Sequence, residues 1–349
     1  MKGLKIKKSN TPNNKYATVI SQNHQLYLIS VNESSGNHQV MAEISGQMAY
    51  SISSVEQYPV VGDRVEVSYS ENDDVAIIHR ILPRKSLLSR ASSGVGQGVQ
   101  PIAANVDTVF ITMALDHNFN LRRMERYLTI VWDSGAQPVI VLTKAGLTTD
   151  LENQLAQVSE IALGVTTFVT SDSDFSEIAN FLTQNPQTVV FVGSSGVGKS
   201  TLINRLLGYE AMATSENRES DSKGRHTTTN RQLFSLANGT QIIDTPGMRE
   251  LQVDTGDSSA TFADIEELAT RCKFRNCTHK SEPGCAIIEA VDTGKLSAER
   301  FANYLKISRE NRYSRMNTTE IAADKFRRHF GGKSGAKAVR DIKKGKRLN

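Results

Sequence analysis

Apolar positions along this chain fall into three successive patterns. Between residues 16 and 82 they form short runs rich in Val, Ile and Tyr, at 16–21, 26–31, 40–44, 64–69 and 76–82. Polar turn clusters separate the runs, at 32–37, 59–63 and 71–74. Five short strands so closely spaced predict a small closed barrel, with an OB-like barrel as its natural form. Residues 83–104 lose the pattern. Pro83, Gly94, Gly96 and Gly98, with Arg84, Lys85 and Arg90, read as a linker or mobile loop. From 105 onward, strand-like and helix-like segments alternate: strand 106–113, helix 121–132, strand 138–142, helix 151–163, strand 165–169, helix 175–182, strand 188–192, helix 199–207. Runs 231–236 and 241–243 then predict a hairpin. Such alternation predicts βαβ units and a mostly parallel sheet in a three-layer α/β domain. Beyond about 255 the chain reads as polar helices interrupted by a Cys cluster. The expected plan is a barrel at 1–82, a linker at 83–104, an α/β domain at 105–255, a helical metal-binding domain at 256–324 and a basic tail at 325–349.

Composition narrows the class. The 349 residues suffice for two or three domains. No apolar run approaches the roughly 18 residues of a membrane helix, and the basic first 15 residues lack the apolar core of a secretory leader. Three Cys exclude a disulfide framework and point to a reducing, cytoplasmic setting. Charge is concentrated at the ends. Residues 325–349 carry ten Lys or Arg against Asp341 alone, and residues 1–15 carry five Lys and no acid. Such ends suit an anionic polymer, the plainer alternative being a solvated tail. The barrel segment has five Tyr and neither Phe nor Trp. Exposed, these rings could stack on RNA bases; otherwise they fill the barrel or its rim.

Four motifs carry chemistry. Gly193, Ser194, Ser195, Gly196, Val197, Gly198, Lys199 and Ser200 fit GxxxxGK[ST] between an apolar strand and a helix opening at Thr201. Backbone N–H groups there would surround phosphates, Lys199 would reach the β and γ groups, and Ser200 would bind Mg²⁺. Asp244-Thr245-Pro246-Gly247 ends a strand about 50 residues later, placing Asp244 for the Mg²⁺ shell and the Gly247 N–H for the γ phosphate. Between them, 223–229 is a polar segment suited to a switch loop. Its His226 is a candidate to orient or deprotonate the attacking water. Thr143-Lys144-Ala145-Gly146 follows a strand and looks like the guanine-reading [NT]-K-x-D motif of GTPases with its Asp replaced. Ser171 stands where a second base-contacting loop would lie. Finally, Cys272-x4-Cys277-x-His279-x5-Cys285 gathers every Cys of the chain into a Cys₃His set, the composition of one closed structural Zn²⁺ site.

Motif order adds a further inference. The base-reading loops precede the phosphate loop, which is the order of a circularly permuted GTPase. With the barrel before it and the Cys₃His cluster after it, the chain resembles the RsgA family of small-ribosomal-subunit biogenesis GTPases, also called YjeQ or EngC. Residues 102–107 (IAANVD) and 224–229 (GRHTTT) are similar to that family too. Gly146 departs from it, since the family's motif ends in Asp. The resemblance implies a cytoplasmic, monomeric enzyme hydrolysing GTP to GDP and phosphate. It implies binding to the small ribosomal subunit and its rRNA, stimulation by that subunit, and no membrane partner. Two rivals stand beside it. A P-loop ATPase or kinase is disfavoured by the 143–146 and 244–247 pair. A non-catalytic rRNA-binding scaffold is favoured by Gly146 and disfavoured by the complete phosphate loop.

Overall fold

The computed structural model describes residues 14–23, 26–33, 36–69, 74–91, 99–171, 174–212, 231–244, 259–314, 316, 319–320 and 323–324. The chain forms two compact units, Met1–Arg90 with Gln100–Leu251, and Ala91–Val99 with Gln252–Asn349.

The first unit opens with the barrel: β1 (Asn14–Asn23), β2 (Leu26–Glu33), β3 (Gly36–Ile44), β4 (Arg64–Ser68) and β5 (Val75–Ile81). Their order is β1-β2-β3-β5-β4, and β4 pairs back onto β1, which closes the barrel as the sequence predicts. Only β3–β5 is parallel among these pairs. The link from β3 to β4 carries α1 (Gly46–Ser51), started by the Ser45 hydroxyl accepting from the Met48 N–H at 3.1 Å. Alternating residues Val19, Tyr27, Ile29, Val31, Val65, Val67 and Ile78 fill the interior. Burial, with Tyr58 and Asp63 nearby, pushes the Tyr27 phenol up to about 12. The five tyrosines therefore divide. Tyr27 is core and Tyr69 packs at its margin, while Tyr16, Tyr50 and Tyr58 are exposed.

Residues 83–104 differ from the linker expected of them. They hold β6 (Leu87–Ala91) and β7 (Val99–Ala104), which pair as a separate two-stranded sheet, with the Arg90 guanidinium donating to Gln100 Oε1. Ladder hydrogen bonds and the buried apolar run Ile102–Ala104 outweigh a Gly- and Ser-rich composition here.

Next come β8 (Thr108–Ala114), α2 (Leu121–Ser134), β9 (Gln137–Thr143), α3 (Leu151–Ile161), β10 (Thr166–Val169), α4 (Ser176–Gln184), β11 (Thr188–Val192), α5 (Lys199–Leu207), β12 (Arg231–Ser235) and β13 (Gln241–Asp244). All seven residues of β8 are buried, the continuous apolar reading of a central parallel strand. Phe110 and Phe191 stack at 4.8 Å in the core beneath α4 and α5. The strand order is β10-β9-β8-β11-β13-β12. β12 and β13 form the expected antiparallel hairpin, and β12 then pairs with β1 through Ser21↔Gln232 and Gln22↔Arg231. Barrel and α/β layer thus share one eleven-stranded sheet.

A second joint reinforces that continuity. Gly62 sits at φ +92°, and a Cβ there would overlap the Ala104 carbonyl. The Ala104 N–H donates to Val61 O at 3.0 Å, and Asn105 Nδ2 donates to Gly62 O at 2.9 Å. Beside them the buried Asp63 carboxylate takes two bonds from Arg84 at 2.7 Å and one from the Val60 N–H at 2.8 Å.

In the second unit, α6 (Ala263–Thr270), α7 (Ala286–Asp292) and α8 (Ala298–Ser314) contribute Ile265, Ile287 and Ile307 to the interior, with Phe262 beside them. Arg300 of α8 grips Asp264 of α6 at 2.8 Å and the Thr261 carbonyl at 3.1 Å.

Candidate functional site

The chain leaves β11 at Val192 and turns through the phosphate-loop motif. Gly193 adopts φ +149° against β8, where a Cβ would overlap the Thr112 carbonyl. Gly196 and Gly198 adopt φ +78° and +94°, left-handed geometry that glycine takes without penalty. Gly198 is the N-cap of α5, so the first-turn N–H groups of Lys199, Ser200 and Thr201 open toward the loop, an arrangement suited to anions. Lys199 Nζ donates to Gly193 O at 2.8 Å and Ser194 O at 2.6 Å, which folds its ammonium into the turn. Val197 is buried beneath, while Ser195 and Gly196 form the exposed tip.

The base-reading candidates meet this loop. Thr143 ends β9 and its hydroxyl donates to Val197 O at 2.6 Å, clamping one loop to the other. Ala145 N–H donates to Thr170 O at 3.2 Å, which brings 143–146 against the segment leading to Ser171. These segments follow the C-terminal ends of β9, β10 and β11, the sheet edge where open α/β folds bind ligands. Gly146 lies in a short 3-10 turn, Ala145–Leu147, and a Cβ on it would meet nothing within 4 Å. One residue escaped the sequence reading. Asp116, just past β8, accepts from Lys144 Nζ at 3.0 Å. A lone Asp in a polar stretch after a strand reads as a turn former, so sequence carried no signal for it.

Asp244 ends β13, whose Ile243 pairs with Val190 of β11, so it stands on the same sheet edge as Gly193. A hydroxyl at Ser200 and a carboxylate at Asp244 are the hard oxygen donors that Mg²⁺ takes. Gly247 and the rest of 245–258, like the switch segment 213–230 with His226, lie outside the described residues.

Residues 81–254 match the RsgA GTPase family. The chain is 51% identical over 302 residues to the small ribosomal subunit biogenesis GTPase RsgA 2 of Lactiplantibacillus plantarum, covering 86% of this chain and 85% of the relative. This chain belongs to the RsgA family. RsgA 1 of Oceanobacillus iheyensis is 44% identical, covering 78% and 79% of the two chains. Among solved structures, YjeQ from Thermotoga maritima matches with a TM-score of 0.62 at 24% identity, covering 85% of this chain and 98% of that one. YloQ, a circularly permuted GTPase, matches at 0.60 and 25% identity, covering 89% and 100%. The permuted order read from the motifs is thus that of the fold, and the chain is a GTP hydrolase. Among the described residues no helix is long and apolar enough to cross a membrane.

The second unit holds a separate site. The ligand atoms of Cys272, Cys277, His279 and Cys285 lie within 4.8 Å of one another. His279 Nδ1 stands 3.6 Å from Cys272 Sγ and 3.4 Å from Cys285 Sγ, and those sulfurs are 3.9 Å apart. A tetrahedral metal with bonds of about 2.3 Å to sulfur and 2.0 Å to nitrogen has edges of about 3.8 Å and 3.5 Å, so this donor set fits a metal ion. Burial pushes the Cys272 thiol up, but the Ala286 and Ile287 N–H groups at the start of α7 outweigh it and leave the thiol below its usual value, whereas burial and the neighbouring thiols push the Cys277 thiol up to about 11. Glu282 braces the loop, accepting from the Thr278 hydroxyl and from the N–H groups of Thr278, Lys280 and Ser281. His279 holds its ring in place from a left-handed backbone at φ +56°.

Proposed function

We propose that this chain is a GTP-driven maturation factor of the small ribosomal subunit, acting as a cytoplasmic monomer that contacts rRNA. The observation that carries the reading is the 51% identity, across 86% of the chain, to a relative bearing that function in its name. The joined phosphate and base loops support it. In this reading Gly193–Thr201 bind the phosphates, and Thr143–Gly146 with Ser171 contact the base. Ser200 and Asp244 hold Mg²⁺, which neutralises the charge between the β and γ phosphates. The Gly247 N–H meets the γ phosphate, and His226 orients the water. Cys272, Cys277, His279 and Cys285 hold one structural Zn²⁺, a closed set with no position open for catalysis. The exposed Tyr16, Tyr50 and Tyr58 of the barrel offer stacking faces for RNA bases. The test is GTP turnover with and without purified small subunits. Turnover rises with subunits, and the His226→Ala chain loses that rise. No stimulation together with no cosedimentation sinks the proposal.

A further inference from the structure

We propose that Asp116 is a positioning residue for nucleotide binding, holding the Lys144 ammonium so that the lysine stem forms a fixed platform for the purine ring. The proposal rests on reading Thr143–Gly146 as the base-contacting loop.

Three observations converge on it. First, the backbone delivers Asp116 to Lys144. The Leu115 N–H donates to Thr143 O at 2.9 Å, extending the β8–β9 register one step past the strands so that Leu115 stands beside Lys144 and Asp116 follows directly. Second, the carboxylate is itself fixed. Asp116 Oδ1 accepts from the Asn118 N–H at 2.8 Å, and its carbonyl accepts from Phe119 N–H at 2.9 Å, a closed Asx turn. Asp116 Oδ2 is left for Lys144 Nζ at 3.0 Å, and the two side chains are 11% and 28% exposed. Third, Lys144 needs such a hold. Its backbone sits at φ +60°, a left-handed conformation that is strained for a residue bearing a β-carbon. Thr143 and Ala145 pin its main chain on either side, and Asp116 pins the side chain.

The chemistry decides between two roles for this carboxylate. Burial pushes the Asp116 carboxyl up, but the Asn118 N–H and the Lys144 ammonium outweigh it, with His117 adding, and hold it below the usual carboxylate range. It is therefore ionised at neutral pH. Its Oδ1 is held by the Asn118 N–H and its Oδ2 is turned to the Lys144 ammonium, so the contact it makes is with Lys144. A platform is indifferent to ring substituents. Loss of Asp116 consequently weakens every purine nucleotide alike, whereas loss of a ring-edge acceptor weakens guanine alone.

The test measures affinities of N-methylanthraniloyl-GDP and -IDP for the full chain and for Asp116→Asn, Asp116→Ala, Lys144→Met and the Asp116→Ala/Lys144→Met pair. Asp116→Ala and Asp116→Asn weaken both nucleotides by the same factor, roughly five- to tenfold for a partly buried charge-assisted bond. KM for GTP rises with kcat unchanged, and Asp116→Ala adds nothing in the Lys144→Met background. Thermal melting of each variant confirms that the chain is folded. Affinity within twofold of the parent, additivity with Lys144→Met, or loss confined to GDP each overturns the proposal. Failure of the base-loop reading looks different: Lys144→Met then leaves both affinities unchanged.

Discussion

On the proposed reading of 143–146 as the base-contacting loop, Gly146 stands where a carboxylate would take two hydrogen bonds from the guanine N1–H and amino group. Its neighbourhood is open, so an introduced Asp meets no steric obstacle. Charge-assisted bonds of this kind contribute roughly 1.5–3 kcal/mol each, and 1.4 kcal/mol is already a factor of ten. Gly146→Asp therefore widens the preference for GTP over inosine triphosphate by about tenfold or more, read from competition binding. The native chain keeps GTP ahead of ATP by a narrower margin than that variant. A several-hundredfold GTP preference over inosine triphosphate in the native chain removes this argument. The phosphate loop was legible in sequence because its chemistry is contiguous: glycines, then Lys199 and Ser200 at the start of a helix. Asp116 was not, because its meaning lies 28 residues away in Lys144. The Thr143–Val197 clamp spans 54 residues and was hidden for the same reason.

At the level of elements, two local assemblies have separate fates. Asp63 is fully buried against Arg84, and burial raises its carboxyl although Arg84 and the Val60 N–H pull it down. Arg84→Ala strands that carboxylate and costs about 3–5 kcal/mol. The pH dependence has a definite sign. A carboxyl raised on folding contributes stability below the ordinary carboxylate range and loses it as pH rises through the raised value. The deficit of the variant, read as a urea midpoint, is therefore largest near neutral pH and shrinks toward acid. A deficit that is constant with pH dissociates the effect from Asp63. The Cys₃His cluster, which could hold a metal ion, behaves independently. Metal binding supplies on the order of 10 kcal/mol of folding free energy to small modules of this type. Cys277→Ala loses the metal, read by elemental analysis, and the second unit becomes protease-sensitive while GTP binding changes little. The strands of the α/β layer were legible because buried parallel strands are long apolar runs, as in β8. β6 and β7 were not, because their partner is each other and Gly and Ser dominate the stretch between them.

Across the whole molecule, barrel closure and permuted order were both readable from strand count and motif sequence. The sharing of one sheet by barrel and nucleotide layer was not, since a two-residue pairing leaves no periodic trace. That pairing has a consequence for how the α/β layer stays soluble. β12 is the last strand of its layer, and without β1 its outer row of N–H and C=O groups faces water as an open template. The barrel thus serves the hydrolase as a lid on a sticky border, whatever else it touches. A chain beginning at residue 83 keeps Gly193–Thr201 yet bares the Arg231–Gln232 end of β12. Such a chain self-associates at concentrations where the full protein stays dispersed, visible as rising light scatter. A Pro at Arg231, whose missing N–H denies the next chain a rung, suppresses it. Dispersed behaviour of the shortened chain without that Pro dismisses the idea. On this account the barrel was never free to be lost, because its first strand keeps copies of the enzyme from adding to one another.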